Sequence, residues 1–178
     1  MDHKNEAEIV ARVLKGDRQA YALLIEEYKI PIYNLAYRMT GNLQDAEDLA
    51  QETFLRSFNQ LYRYDVKRSF FTWIYTVSLN IIRNHLKKNS YHRLDGMRQG
   101  ERMPGTSDFG NNQLIPPETR AGDELSKERE EILEICLQKI SPELRELLIL
   151  RFYQGLSFEV ISDITGLSLS AIKMRVYR

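Results

Sequence analysis

Two adjoining stretches of this 178-residue chain carry helical periodicity with charge of opposite sign on their polar sides, and the rest of the chain is organised around them. In the first, Asp45 to Phe58, the residues Ala46, Leu49, Ala50, Thr53 and Ser57 share one side at the 3.6-residue period. Asp48, Gln51, Glu52 and Leu55 fall on the other side. The small, apolar side suits a core. An acidic side is commonly a solvated face, but an exposed leucine within it favours docking on a basic protein. In the second stretch, Phe70 to Lys88, an apolar seam of Phe70, Ile74, Val77, Ile81 and the stem of His85 lies opposite Thr72, Thr76, Asn80, Arg83 and Lys87. No Asp or Glu interrupts Ser69 to Arg93. Donors, an amide able to bond base edges and cations for phosphates, all on one stripe, suit nucleic acid.

Between the two helices, Leu61 to Ser69 reads as a loop with Tyr62 and Tyr64 as stacking faces for bases and Arg63, Lys67 and Arg68 for phosphates. Trp73 sits at the edge of the seam, whereas Phe70 and Phe71 read as core. Upstream, Ala7 to Leu14 and Ala20 to Tyr28 are amphipathic helices split at Gly16-Asp17, where Asp17 serves as a cap. Pro31 is expected to interrupt the pattern, which resumes over Ile32 to Met39 and stops at Gly41-Asn42. The first helical unit is expected to end near Tyr91.

From Leu94 to Gly122 the composition shifts to Gly, Pro, Asn, Ser and charge, with Pro104-Gly105, Gly110-Asn111-Asn112 and Pro116-Pro117 as breakers, so a flexible linker is expected. A tether of that length lets two units occupy separate places on one large partner. After it, Asp123 to Ile140 reads as a helix with Leu125, Ile132, Leu133, Cys136 and Ile140 inward, and Ser141-Pro142-Glu143 caps the next one, Leu144 to Tyr153. Ser157 and Ser168 cap two last helices about a turn at Gly166, and Ile161, Ile164, Leu167, Leu169, Ile172 and Val176 are spaced to close a small core. This is a helix-turn-helix pattern. The outer side of its final helix carries Ser170, Lys173, Met174, Tyr177 and Arg178, with Arg175 nearer the seam.

The architecture expected is therefore all-α: a unit over 1–92, a linker over 93–122 and a helix-turn-helix unit over 123–178. Lys plus Arg equals Asp plus Glu, 25 each, so net charge predicts no partner, although base gathers from Arg63 to Arg93 and again from Lys173 to Arg178. Cys136 is the single cysteine, which rules out an internal disulfide and suggests a reducing compartment. No apolar run is long enough to cross a bilayer, so a cytoplasmic protein without membrane insertion is expected. No phosphate-cradling glycine loop and no Cys or His set at metal spacing is present, so neither an enzyme nor a cofactor is expected.

Tyr37 to Asn42 running into Asp45 to Phe54, then Phe71-Thr72-Trp73-Ile74-Tyr75 through Asn80, then Leu156 to Glu159 with Ile172 to Arg178, resemble a bacterial RNA polymerase sigma factor of the extracytoplasmic-function group, sigma-70 family. The resemblance implies sigma regions two and four on a linker, and a function in promoter recognition and DNA melting with core RNA polymerase. It implies that Asp45, Asp48, Gln51, Glu52 and Leu55 meet the clamp helices, with a further contact to the flap, and that Asn80, Arg83, Asn84 and the loop serve minus-ten recognition with a base flipped out. Ser168, Ser170, Lys173, Met174, Arg175, Tyr177 and Arg178 would meet the minus-thirty-five element in the major groove. An anti-sigma factor is a further implied partner. Ser170-Ala171 stands where the family often has Gly-Thr, and Met174 where Ser, Thr or Lys is common, which bears on the sequence read there. The sequence stops at Arg178 inside the recognition helix, where a shortened carboxyl terminus is expected. The alternative is a helix-turn-helix regulator that acts without polymerase.

Overall fold

Polar punctuation sets the helix limits. The computed structural model describes residues 3–99 and 124–178, and its elements are α1 (His3–Leu14), a 3-10 turn (Arg18–Ala20), α2 (Tyr21–Thr40), α3 (Leu43–Gln60), a second 3-10 turn (Leu61–Arg63), α4 (Phe70–Gln99), α5 (Glu124–Lys139), α6 (Pro142–Leu148), a π-helical turn (Ile149–Tyr153), α7 (Phe158–Thr165) and α8 (Leu169–Tyr177). No strand occurs among the described residues. Asp17, Asn42, Ser141, Ser157 and Ser168 each accept a hydrogen bond from the backbone N–H three residues on, at 2.9–3.4 Å. Each satisfies a donor that the helix itself leaves unpaired. Gly166, in the left-handed region at φ +73°, ends α7 with its N–H on the Ser162 carbonyl.

Three expectations about element limits are corrected. Pro31 does not interrupt: α2 runs through it, because Tyr28, Ile32 and Leu35 on either side are buried and their packing outweighs the missing N–H. Next, α4 continues beyond Tyr91 to Gln99, through residues assigned to the linker, since the first proline after it is Pro104. The rest of the expected linker, 100–122, lies outside the described residues. Finally, α5 does not turn Ile132, Leu133 and Cys136 inward. Ile132 and Leu133 are more than half exposed, Cys136 is exposed and Ile140 half-buried, while Leu137 is the buried residue. Leu125 falls outside the described side chains. Flanking Leu137 on the side of α5 that meets α2, Glu134 and Gln138 bond the guanidinium and the carbonyl of Arg38.

The amino-terminal helices α1 to α4 form a bundle around Val10, Leu24, Ile32, Leu35, Ala36, Met39, Ala46, Phe70 and Ile74, all with no exposed surface. Leu147, Ile149, Leu150, Ile161 and Ile172 do the same for α6 to α8. Each of these side chains larger than alanine contributes about 1.5–3 kcal/mol by leaving water. The two cores are continuous, because α4 packs on α7 and the end of α2 packs on α5 and α6. Arg145, 6% exposed, reaches across to the last turn of α2, where it donates to the Met39 carbonyl, and it also bonds Gln138 Oε1 at 2.6 Å and the Gln138 and Ile140 carbonyls. Gln138 in turn donates to the Arg38 carbonyl at 3.0 Å. A cation and an amide thus satisfy carbonyls that α2 leaves open at its end. Gly41, at φ +70°, closes that end, and a Cβ there would stand 2.8 Å from Gln138 Cδ, so both the turn and the close approach of α5 require glycine.

Candidate functional site

The acidic stripe of α3 emerges as its periodicity predicts. Ala46, Leu49, Ala50, Thr53 and Ser57 are buried, whereas Asp48, Gln51, Glu52 and Leu55 are exposed, Leu55 by 60%. Tyr21 of α2 fixes the rotation of α3 from beneath: its hydroxyl lies 2.6 Å from Ser57 Oγ and donates to the Phe54 carbonyl at 3.1 Å. Burial pushes that phenol up to about 12. Glu52 pairs with Arg56 one turn on, at 2.5 Å, and both remain in solvent. Asp45 behaves differently from its neighbours. It is half-buried, and its Oδ2 lies 3.1 Å from Nε2 of His85 on α4, so it ties α3 to α4 as well as edging the stripe.

On α4, Asn80, Asn84 and Lys87 are exposed, and Thr72 is half-buried. Thr76 Oγ1 lies 2.8 Å from the Thr72 carbonyl and 3.3 Å from the Ile164 carbonyl of α7. Arg83 makes a forked pair with Glu146 of α6, Nε to Oε2 at 2.8 Å and Nη2 to Oε1 at 2.6 Å. Beside them Tyr75, Leu79 and Ile82 have no exposed surface, and the Tyr75 hydroxyl donates to Gln154 Oε1 at 2.9 Å. The helix therefore has a second buried side that the seam of Phe70, Ile74, Val77 and Ile81 does not account for. An available signal was that Tyr75, Leu79 and Ile82 fall at i, i+4 and i+7, a second apolar row beside the seam, which marks a helix covered from more than one side.

The loop from Leu61 to Ser69 separates its two tyrosines. Tyr62 is 67% exposed, with the Arg63 guanidinium 5.3 Å from its ring centre, and Arg63, Lys67 and Arg68 are all in solvent. Tyr64 is 7% exposed: its ring packs on Phe70 and Trp73 at 5.6 and 5.5 Å, and its hydroxyl donates to the Arg68 carbonyl. The expectation that Tyr64 offers a stacking face is thus corrected; it holds the loop shut on the bundle. Sequence reasoning also missed Glu6 of α1. Its carboxylate, 2% exposed, accepts from the Tyr28 hydroxyl and, at 3.3 Å, from the Phe70 N–H, so it caps the start of α4 from 64 residues away. Burial, then the Glu6 carboxylate, drives the Tyr28 phenol well above its ordinary value. A usable clue was Glu6, Val10 and Val13 at i, i+4, i+7, an acid on an apolar side.

At the carboxyl end, Ile172 is buried and Val176 half-buried against α7, and Ser168, Ser170, Lys173, Met174, Tyr177 and Arg178 are exposed. Arg175, expected nearer the seam, is exposed too, and so is Leu169, expected in the core but standing at the first position of α8 with 38% of its surface open. Ser168 caps the helix through the Ala171 N–H. Tyr177 meets Phe158 edge-on at 6.0 Å, and Lys173 Nζ lies 5.7 Å from the same ring. The outcome is a helix with an acid-free outer side, presented by a helix-turn-helix. No helix among the described residues is long and apolar enough to cross a membrane.

Comparison with known proteins agrees with both halves of this geometry. Residues 24–91 match the family model for sigma-70 region 2, and residues 125–178 match the model for sigma-70 region 4. The extracytoplasmic-function sigma factor SigW of Bacillus subtilis is 31% identical over 171 residues, covering 95% of this chain and 89% of that protein. The RNA polymerase sigma-H factor of Pseudomonas aeruginosa is 27% identical over the whole of this chain and 91% of its own length. Among solved structures, CnrH in complex with the cytosolic domain of CnrY superposes with a TM-score of 0.68 at 18% identity, covering 98% of this chain and 91% of that one. The sigma factor RpoE of Bartonella quintana, bound to the anti-sigma factor NepR, also gives 0.68, at 19% identity over 89% of this chain and 90% of its own. With region 2, region 4 and a near full-length relative all in agreement, the chain belongs to the extracytoplasmic-function sigma factors of the sigma-70 family.

Proposed function

We propose that α3 and α4 divide the work of initiation, α3 binding core RNA polymerase and α4 with its preceding loop taking the minus-ten strand. Support for docking comes from the exposed run Asp48, Gln51, Glu52 and Leu55, with Asp45 at its edge. An apolar residue ringed by charges is the usual make-up of a binding anchor, the charges tuning encounter and the leucine holding the complex. On α4, Asn80 and Asn84 offer amides to base edges, Arg83 and Lys87 meet phosphates, and Thr72 and Thr76 flank them. Tyr62 supplies the stacking face for an unpaired base, and Arg63, Lys67 and Arg68 steer its backbone. The outer side of α8, from Ser168 and Ser170 through Lys173, Met174, Arg175, Tyr177 and Arg178, enters the major groove at the minus-thirty-five element.

The single observation that carries this reading is the segregation of charge: one exposed acidic stripe on α3 and an acid-free stripe on α4, on helices that pack against each other with Asp45 beside His85. A regulator acting by its helix-turn-helix alone leaves both stripes without a purpose. The neighbours CnrH and RpoE are seen with CnrY and with an anti-sigma factor, and we extend an anti-sigma partner to this chain by that likeness. The protein acts where polymerase and chromosome are, in the cytoplasm, and the chemistry of RNA synthesis stays with the polymerase. Run-off transcription with core enzyme on a library of promoter fragments tests the reading. Transcripts that depend on this protein are expected; none from any fragment, with the protein folded, overturns it.

A further inference from the structure

We propose that Glu6 of α1 is a positioning residue for promoter opening: its buried carboxylate fixes the junction between the Leu61–Ser69 loop and α4, so that α1 sets how the loop receives an unpaired base. The inference rests on the assignment of the loop and α4 to the minus-ten strand. Phe70 opens α4, and Ser69 stands just before it with its carbonyl on the Trp73 N–H at 3.2 Å. The N–H groups of that first turn have no partner within the helix. Glu6, 64 residues earlier, accepts from the Phe70 N–H at 3.3 Å through Oε2 and from the Tyr28 hydroxyl through Oε1. One carboxylate thereby joins α1, α2 and the start of α4.

The rings around that carboxylate carry its effect into the loop. The Phe70 ring lies 5.6 Å from Tyr28, 5.6 Å from Tyr64 and 5.4 Å from Trp73, and Tyr64 lies 5.5 Å from Trp73. The Tyr64 hydroxyl then donates to the Arg68 carbonyl, beside the exposed cations Lys67 and Arg68. Because α1 also packs on Leu61–Arg63, it meets the loop where it begins as well as where it ends. Adhesion alone does not call for a charge here. Ile9, Val10 and Val13 already bury one side of α1, and a buried ionised group gains little net stability because its desolvation offsets its attractions. What the carboxylate adds is geometry, since two oxygens with one donor each fix Phe70 against α1. Burial, then the carboxylate itself, holds the Tyr28 phenol protonated, so it stays a donor.

The test uses the full chain with core polymerase. Glu6→Gln keeps the volume, removes the charge and replaces one of the two acceptor oxygens by a donor. Glu8→Gln, exposed on the same helix, makes the same change in net charge, and Val10→Ala loosens the buried side of α1 without touching the carboxylate. Tyr28→Phe removes only the hydroxyl on Oε1 and stands in if Glu6→Gln loses helical content. Trp73 is the single tryptophan, so its emission reports the junction. For Glu6→Gln, unchanged affinity for core polymerase, roughly tenfold slower opening of duplex promoters and recovery on a pre-melted bubble are expected, because a misplaced loop loses only the capture step. Its Trp73 emission should move to longer wavelength. Tyr28→Phe should follow in the same direction by about threefold. Glu8→Gln and Val10→Ala should leave opening and emission as they are, Val10→Ala despite a lower melting temperature. The proposal is overturned if Glu6→Gln, or Tyr28→Phe in its place, opens duplex promoters at the unaltered rate or loses polymerase affinity to the same degree. A loss that persists on the bubble, or that follows melting temperature across Glu6→Gln and Val10→Ala, overturns it as well. Failure of the sigma reading itself looks different, because run-off transcription then fails for the unaltered chain too.

Discussion

The acidic stripe of α3 and the polar stripe of α4 belong to one bundle, yet among the described residues only the second bonds to a distant element, through Arg83 and Thr76. Asp48, Gln51, Glu52 and Leu55 face solvent, and the one ion pair among them, Glu52 with Arg56, is local. Across the bundle, Arg83, Thr76 and Tyr75 each bond to a residue at least 63 positions away. The α3 stripe stays open to solvent. The arginine fork on α4 does not, because a carboxylate supplies the same two oxygens to it that a phosphate does. Charge alone therefore does not tell an exposed binding side from one that is covered.

Breaking the α3 side is expected to give the largest effect. Leu55→Asp replaces the exposed apolar residue of the docking stripe with a charge and should weaken core-polymerase binding by about 2 kcal/mol or more, roughly thirtyfold, with helicity intact. Titration of labelled protein with core enzyme reads it; unchanged affinity would make the stripe a solvated face and end the contrast with α4. On the α4 side, Asn80→Ala is expected to spare that affinity yet lower opening of duplex promoters, in the range of about 1–3 kcal/mol for one lost base contact. Permanganate reactivity of unpaired thymines measures opening. A variant with the Leu61–Ser69 loop replaced by Gly and Ser should recover on a pre-melted bubble, because its unpairing is already done. Opening at the normal rate by that variant would reduce the loop to a connector.

A smaller effect is expected where α1 supports α4. Glu6→Ala removes the cap on the Phe70 N–H and should cost on the order of 1 kcal/mol in thermal stability. It should also slow promoter opening more than it weakens polymerase binding, since the cap sits at the end of the loop and far along the chain from the α3 stripe. Equal losses in both assays would show that Glu6 stabilises the bundle without positioning the loop. The smallest effect concerns the α2–α3 joint and appears only in alkali. Tyr21 has a folded pKa of about 12 against an ordinary value of 10.0. Its contribution is complete below pH 10 and is lost as pH rises from 10 towards 12, because the unfolded chain ionises first. Tyr21→Phe should therefore show a flatter fall in melting temperature across that window than the unaltered protein, from a slightly lower start.

Local chemistry was legible. The caps at Asp17, Ser141, Ser157 and Ser168 and the turn at Gly166 depend on atoms within three or four residues, and periodicity placed the inward side of α3 and, apart from the exposed Leu169 and Arg175, that of α8. The acidic stripe was read correctly for the same reason, since the rotation of one helix decides it. Tyr64 was not, because two tyrosines two positions apart in a loop have no period to separate them, and only the packing of Phe70 and Trp73 does so. The limit at Pro31 failed through a competing term, the burial of Tyr28, Ile32 and Leu35.

By itself the sequence determined an all-α chain of two helical units, the family, and which helix bears acid and which bears donors and cations, because each of these follows from residue type and spacing along one element. Only the tertiary structure decided that the two units share a core, that α5 turns its polar side to α2, that Glu6 caps α4, and that Glu146 occupies Arg83. Each of those is a contact between residues 63 or more positions apart, up to 106 for Arg145 and Met39. No periodicity links such partners; their meeting depends on how apolar sides left over from separate helices find each other, and Tyr75, Leu79 and Ile82 are the residues through which α4 did so.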